Sequence, residues 1–175
     1  EVANEALSAL SIKDPKLTLD TLEQLPNNVM MQRVCYSIMA KNHPDIVLKW
    51  FSEHRDSTSS HLMNAATGSL LELCNIAPKE TLKIFSSMNP KVSGYYLPMI
   101  VNDIVRNEPE NAAKWVSEEV GSEHQKVVMP ALVAALSGVD VKLSIEVLNS
   151  LDGEVYGLCV HQLLPALASD PSIDV

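Results

Sequence analysis

Prolines recur along this chain at the spacing of a helix pair. Pro15, Pro44, Pro78, Pro109 and Pro171, with Val141 standing between the last two, are separated successively by 29, 34, 31, 32 and 30 residues. Five of these six positions are proline although the chain holds only ten prolines, so the regularity does not follow from composition. Proline suits the first residue of a helix, because its missing N–H would be unpaired there and its φ is already set. Self-similarity at a fixed spacing of this size marks stacked supersecondary units.

The columns that follow each marker describe one helix, A. Four residues on stand Leu19, Leu48, Leu82, Ala113 and Ile145; seven on stand Leu22, Phe51, Phe85, Val116 and Leu148. Six on stand Thr21, Trp50, Ile84, Trp115 and Val147, and the position before them is charged every time: Asp20, Lys49, Lys83, Lys114 and Glu146. Apolar residues three and four apart with a charge between them make a one-sided amphipathic helix. Counting back from each marker gives a second helix, B, with Leu10, Met39, Leu73, Ile104, Leu136 and Ala166 five residues before. Eight before stand Leu7, Tyr36, Leu70, Val101, Val133 and Leu163. Helix B is apolar around more of its circumference, as in Leu70-Leu71-Glu72-Leu73-Cys74, which places it between neighbours.

These columns predict an all-α chain, an α-solenoid (superhelix) of about five antiparallel helix-pair repeats of roughly 31 residues. The A helices are expected near 15–25, 44–54, 78–88, 109–120 and 141–151, and the B helices near 3–12, 29–42, 61–76, 95–107, 124–138 and 154–169. Pro98 and Pro130 are expected in the first turn of their B helices; if B starts earlier, they kink it, since each removes one backbone bond. The A-to-B connections carry turn chemistry at Pro26-Asn27-Asn28, Asp56 to Ser60, Asn89-Pro90-Lys91, Gly121-Ser122 and Asp152-Gly153. No linker rich in proline or glycine divides the chain, so one domain over 1–175 is expected. It opens in a B-type helix, and Asp170 to Asp174 read as the first turn of another A helix, which suggests a segment of a longer array.

Net charge is −9, with apolar residues at 46% and charged ones at 20%, the mix of a globular protein. An acidic chain without a basic stripe argues against nucleic-acid binding and against docking on anionic lipid. No apolar run reaches the roughly 18 residues of a membrane span. Cys35, Cys74 and Cys159 are three, widely spaced and set in apolar helical stretches, which makes them buried hydrophobes rather than a disulfide framework. That usage favours the cytoplasm and leaves a periplasmic or secreted home open.

Catalytic constellations are missing from the pattern. His54 and His61 flank a serine-rich turn near Glu53 and Asp56, but no His-x-x-x-His pair supports a metal, and they read as solvated loop histidines. His43 and His124 fall at helix boundaries, where capping or exposure accounts for them. No serine sits in a Gly-x-Ser-x-Gly elbow and no glycine-rich phosphate loop occurs. No enzyme activity, cofactor or metal is therefore expected. Lys49, Lys83 and Lys114, aligned in three successive repeats, read either as a basic ladder for an acidic or phosphate-bearing partner or as a solvated face over apolar stems. Trp50 and Trp115 read as inter-repeat core.

The array resembles the tetratricopeptide and HEAT-type α-solenoids across the whole chain. The closing proline of the tetratricopeptide repeat corresponds to the marker, and the tryptophan of its first helix to Trp50 and Trp115. The Leu-Gly and Tyr places later in that helix hold Gln24, Glu53, Ser87, Glu118 and Ser150 instead. The pattern Pro-x-x-x-Leu/Ala-x-Trp also looks like degenerate bacterial helical repeats. The resemblance implies the fold and carries no catalytic residue with it; tandem helices without a catalytic constellation are expected to form a scaffold or adaptor that presents a groove to a protein or peptide partner. Two other readings stay open: the helical superstructure of an enzyme whose catalytic domain lies outside this chain, and a structural protein that self-associates end to end.

Overall fold

The computed structural model describes residues 2–24 and 28–169, with the side chains of 2–4 and 165–169 left aside. Among the described residues it is all-α, and neighbouring helices pack on one another. The helices are α1 (Val2–Lys13), α2 (Pro15–Gln24), α3 (Val29–Asn42), α4 (Pro44–Glu53), α5 (Ser60–Ile76) and α6 (Pro78–Ser86). They continue with α7 (Pro90–Asn107), α8 (Pro109–Glu119), α9 (Gln125–Ser137), α10 (Val141–Asn149) and α11 (Gly153–Ser169), and a 3₁₀ turn at Ser122–His124 precedes α9.

Each junction from a B helix into an A helix is a corner of one residue. Asp14, His43, Ala77, Glu108 and Asp140 each donate their N–H to the carbonyl five residues before the marker, at 2.7–2.8 Å. Each also accepts, on its own carbonyl, the N–H of the residue four further on, at 2.9–3.3 Å. One residue therefore closes one helix and opens the next. The backbone that permits this recurs: φ −142° and ψ 57° at His43, −140° and 61° at Ala77, −145° and 66° at Glu108, −144° and 93° at Asp140. The following residue would present an N–H with no acceptor, which is why proline occupies that place. At Val141 the need is met differently: Asp140 caps the helix, its Oδ1 accepting the Leu143 N–H at 3.0 Å. Asp14 does the same for Leu17 at 3.0 Å.

The burial columns follow this register. Leu22, Phe51, Phe85, Val116 and Leu148 are all buried, and Asp20, Lys49, Lys83, Lys114 and Glu146 are all exposed. A column that the periodicity left unremarked is as regular. Three residues after each marker stand Thr18, Val47, Thr81, Ala112 and Ser144, every one fully buried. None of them is larger than valine, and all lie on the buried face of helix A. The hydroxyls among them are satisfied internally, Thr18 and Thr81 donating to the corner carbonyls at 2.9 and 2.7 Å and Ser144 to Val133 O at 2.9 Å.

The chain divides into two compact units, residues 1–92 and 93–175. In the first, α3 packs between α1 and α5, and α4 packs against α3, α5 and α6. Tyr36, Phe51, Phe85 and Leu73 are fully buried in its core. In the second, α9 packs against α8, α10 and α11, and Val128, Leu132, Val133 and Leu136 of α9 are buried.

Three expectations change. Helix α7 begins at Pro90, ahead of the expected 95, because Asn89 caps it: Asn89 Oδ1 accepts the Lys91 N–H at 3.1 Å. Pro98 and Pro130 then lie inside α7 and α9 rather than in their first turns, each removing one donor from its helix. His124 is buried, not exposed, with its Nε2 3.4 Å from Ser93 Oγ. The Pro26-Asn27 part of the first connection and the turn at Asp170 to Asp174 lie outside the described residues.

Candidate functional site

The first unit contains a cleft of about 330 Å³, walled by the end of α2, the start of α3, Trp50 of α4 and the turn that leads into α5. A second hollow of about 400 Å³ adjoins it, and Glu23, Trp50 and His54 line both. The histidines placed on this turn are not solvated loop residues, contrary to expectation. His54 stacks on the Trp50 indole, ring centroids 4.3 Å apart at 26°, and His61 meets the same indole edge-on at 5.6 Å and 69°. Trp50 follows from helical spacing: it lies in the same turn as the buried Val47 and Leu48 and is itself buried. The ring of Tyr36 in α3 lies 5.3 Å from the same indole, tilted at 48°.

Polar side chains order these rings. Glu23 Oε1 accepts the Trp50 indole N–H at 3.0 Å and lies 3.6 Å from His54 Nε2. His54 Nδ1 lies 2.8 Å from the Trp50 carbonyl, which can only accept, so Nδ1 carries the hydrogen. At His61 the order runs through three partners. The Asn64 amide donates to Gln32 Oε1 at 2.9 Å, which turns the Gln32 amide N–H toward His61 Nδ1 at 3.0 Å. His61 Nε2 therefore carries the hydrogen and donates to the Tyr36 hydroxyl at 2.8 Å.

That arrangement requires a neutral His61, since a proton on Nδ1 would face the Gln32 N–H. Burial lowers the His61 pKa, partly opposed by the Glu23 charge. Burial also pushes the Tyr36 hydroxyl far above its ordinary value, with the Glu23 and Cys35 charges adding to the effect. Unfolded, the imidazole binds a proton more readily than it does in the fold. Its contribution to stability is thus full above the ordinary 6.5 and declines as pH falls from there through the depressed folded value. We expect the urea midpoint to drop more between about pH 7.5 and 5.5 in the wild type than in His61→Gln; equal drops would show that His61 protonates without cost.

Lys49 and Lys83 are exposed in the first unit and Lys114 in the second, and two of them face carboxylates one turn on: Lys49 with Glu53 at 3.7 Å and Lys114 with Glu118 at 4.0 Å. Trp115 is half-buried. Cys35, Cys74 and Cys159 are buried thiols, and burial raises the pKa of Cys35 and Cys159. Among the described residues no group of three His, Cys, Asp or Glu side chains is placed to hold a metal, and no helix is long and apolar enough to cross a membrane.

Glu23 is the residue that the sequence reading missed. Its signal lies in the column eight after each marker, Glu23, Ser52, Ser86, Ser117 and Asn149, where it alone is charged. No protein-family model, curated protein or solved structure matches this chain.

Proposed function

We propose that this chain is a stretch of α-solenoid serving as a non-catalytic scaffold, its helix pairs presenting a surface to a protein partner. What supports the reading is the one-residue corner, which recurs five times with the same two backbone hydrogen bonds. A helix pair built this way has one apolar face that only a neighbouring pair can cover, so tandem pairs present long surfaces made of repeated columns. Both His61 nitrogens and His54 Nδ1 are engaged by neighbouring polar groups.

Affinity capture on the immobilised chain should retain a defined protein, and Phe85→Asp, which should unfold the first unit by placing an unpaired charge in its core, should release it. Retention of nothing beyond the unfolded control, or turnover of a substrate by the chain alone, overturns the reading. Lys49→Glu, Lys83→Glu and Lys114→Glu combined should weaken capture and flatten its salt dependence. Unchanged affinity and salt dependence would reduce the three lysines to solvated surface.

A further inference from the structure

We propose that Gln32 and Asn64 form a proton-coupled relay behind His61. When the imidazole takes a second proton both amides turn over, which gives the contact between α3 and α5 two hydrogen-bonded states selected by pH. The chain of bonds has a direction. Asn64 Nδ2 donates to Gln32 Oε1 at 2.9 Å, Gln32 Nε2 lies 3.0 Å from His61 Nδ1, and His61 Nε2 lies 2.8 Å from the Tyr36 hydroxyl. A proton on Nδ1 sets two N–H donors face to face. An amide can answer with a half-turn about its last bond, which exchanges its oxygen and nitrogen in nearly the same places. Turned, Gln32 accepts the new Nδ1 hydrogen on Oε1 but presents its NH2 to that of Asn64. A half-turn of Asn64 restores this bond as well, and the Tyr36 oxygen accepts from His61 Nε2 in both states.

Burial couples the two amides. Gln32 is 2% exposed and Asn64 7%, and Tyr36 is fully buried, so an amide that turned alone would leave two donors facing each other away from water. Asn64 is thus a positioning residue that acts on His61 through Gln32. The charges that bear on the imidazole come from the neighbouring elements. Glu23 of α2 favours its protonation, and His54, at the end of α4, opposes it. From α4 the uncharged Trp50 ring meets it edge-on, and α3 contributes Gln32 and Tyr36. Arg55 and Asp56, in the turn ahead of α5, are exposed and lie 3.9 Å apart. Burial lowers the His61 pKa from the ordinary 6.5, so the arrangement seen in the structure holds above that pH and acidification below it reaches the turned one.

The test is NMR of the full chain, titrated from about pH 8 to about pH 5. The His61 ring nitrogens report its protonation. Nuclear Overhauser contacts of the Gln32 NH2 report the direction of the relay: to the His61 Cε1 hydrogen at high pH, and to the Asn64 β-hydrogens at low pH. Both readouts should switch with one midpoint. Asn64→Leu, which frees Gln32 to turn alone, should raise the His61 pKa by about half a unit, a gain of about threefold in proton affinity. In a Gln32→Met background the same Asn64→Leu change should shift the His61 pKa no further. Gln32 contacts that keep one direction throughout the His61 titration overturn the relay, and so does loss of the His61–Tyr36 contact at low pH, which would mean that the imidazole leaves the network. An equal shift from Asn64→Leu with and without Gln32 overturns the positioning role of Asn64. The wild-type contacts decide the relay even where a variant fails to fold. None of these outcomes depends on the scaffold reading.

Discussion

Gly68→Ala is expected to destabilise the first unit, although it replaces glycine in the middle of a helix with the best helix former. Propensity by itself favours the alanine by about 1 kcal/mol. Gly68 of α5, however, lies against the backbone of α3. A Cβ there would sit 2.7 Å from Arg33 Cα and 2.9 Å from its carbonyl carbon, and closer still to its carbonyl oxygen. These are main-chain atoms of a helix, so no side chain can swing away to make room. Helices α3 and α5 must separate, and with them Ala40, Ala65, Ala66 and Ser69, all fully buried. Overpacking of this kind costs about 1–3 kcal/mol and more when the backbone has to move, which outweighs the propensity gain. Urea denaturation should show a lower midpoint for Gly68→Ala. A raised midpoint would mean that the two helices do not approach this closely in solution.

Phe85→Ala should have a larger effect, about 3–5 kcal/mol. Phe85 is fully buried in α6, and its ring lies 5.2 Å from that of Phe51 in α4. Removing it takes away apolar burial and leaves a space that Phe51, itself packed on Trp50 at 5.3 Å, is held from filling. Lys83, two residues earlier on the same helix, is exposed, and Lys83→Ala should stay within about 0.5 kcal/mol. The pair tests the helical register directly, because the two positions differ only in the face they occupy. Similar losses at both would place the A-helix columns in the wrong phase.

The cleft was much less legible than the columns. Trp50 could be assigned to the core from its spacing, and its burial agrees. His54 and His61 could not be placed, because nothing local distinguishes a histidine in a serine-rich turn from a solvated one. Their environment comes from Glu23, Gln32 and Tyr36, which lie 25 to 31 positions upstream. His124 is a similar case. It lies at a helix boundary, as expected, but is buried against Ser93, 31 residues away.

The sequence by itself determined the helices, their order and which face of each is buried. Those properties depend on interactions within one or two turns: proline at a corner, an Asp or Asn cap, apolar residues three and four apart. The recurrent prolines mark a corner of one residue that satisfies two helix ends at once, a requirement the backbone imposes wherever a helix stops and another starts immediately. Tertiary structure decided the rest. It required the small column of Thr18, Val47, Thr81, Ala112 and Ser144, the missing Cβ at Gly68, and the meeting of Glu23, Trp50, His54 and His61. Each depends on how closely two helices approach, and that distance is set by the packing of many side chains together, which no local pattern encodes.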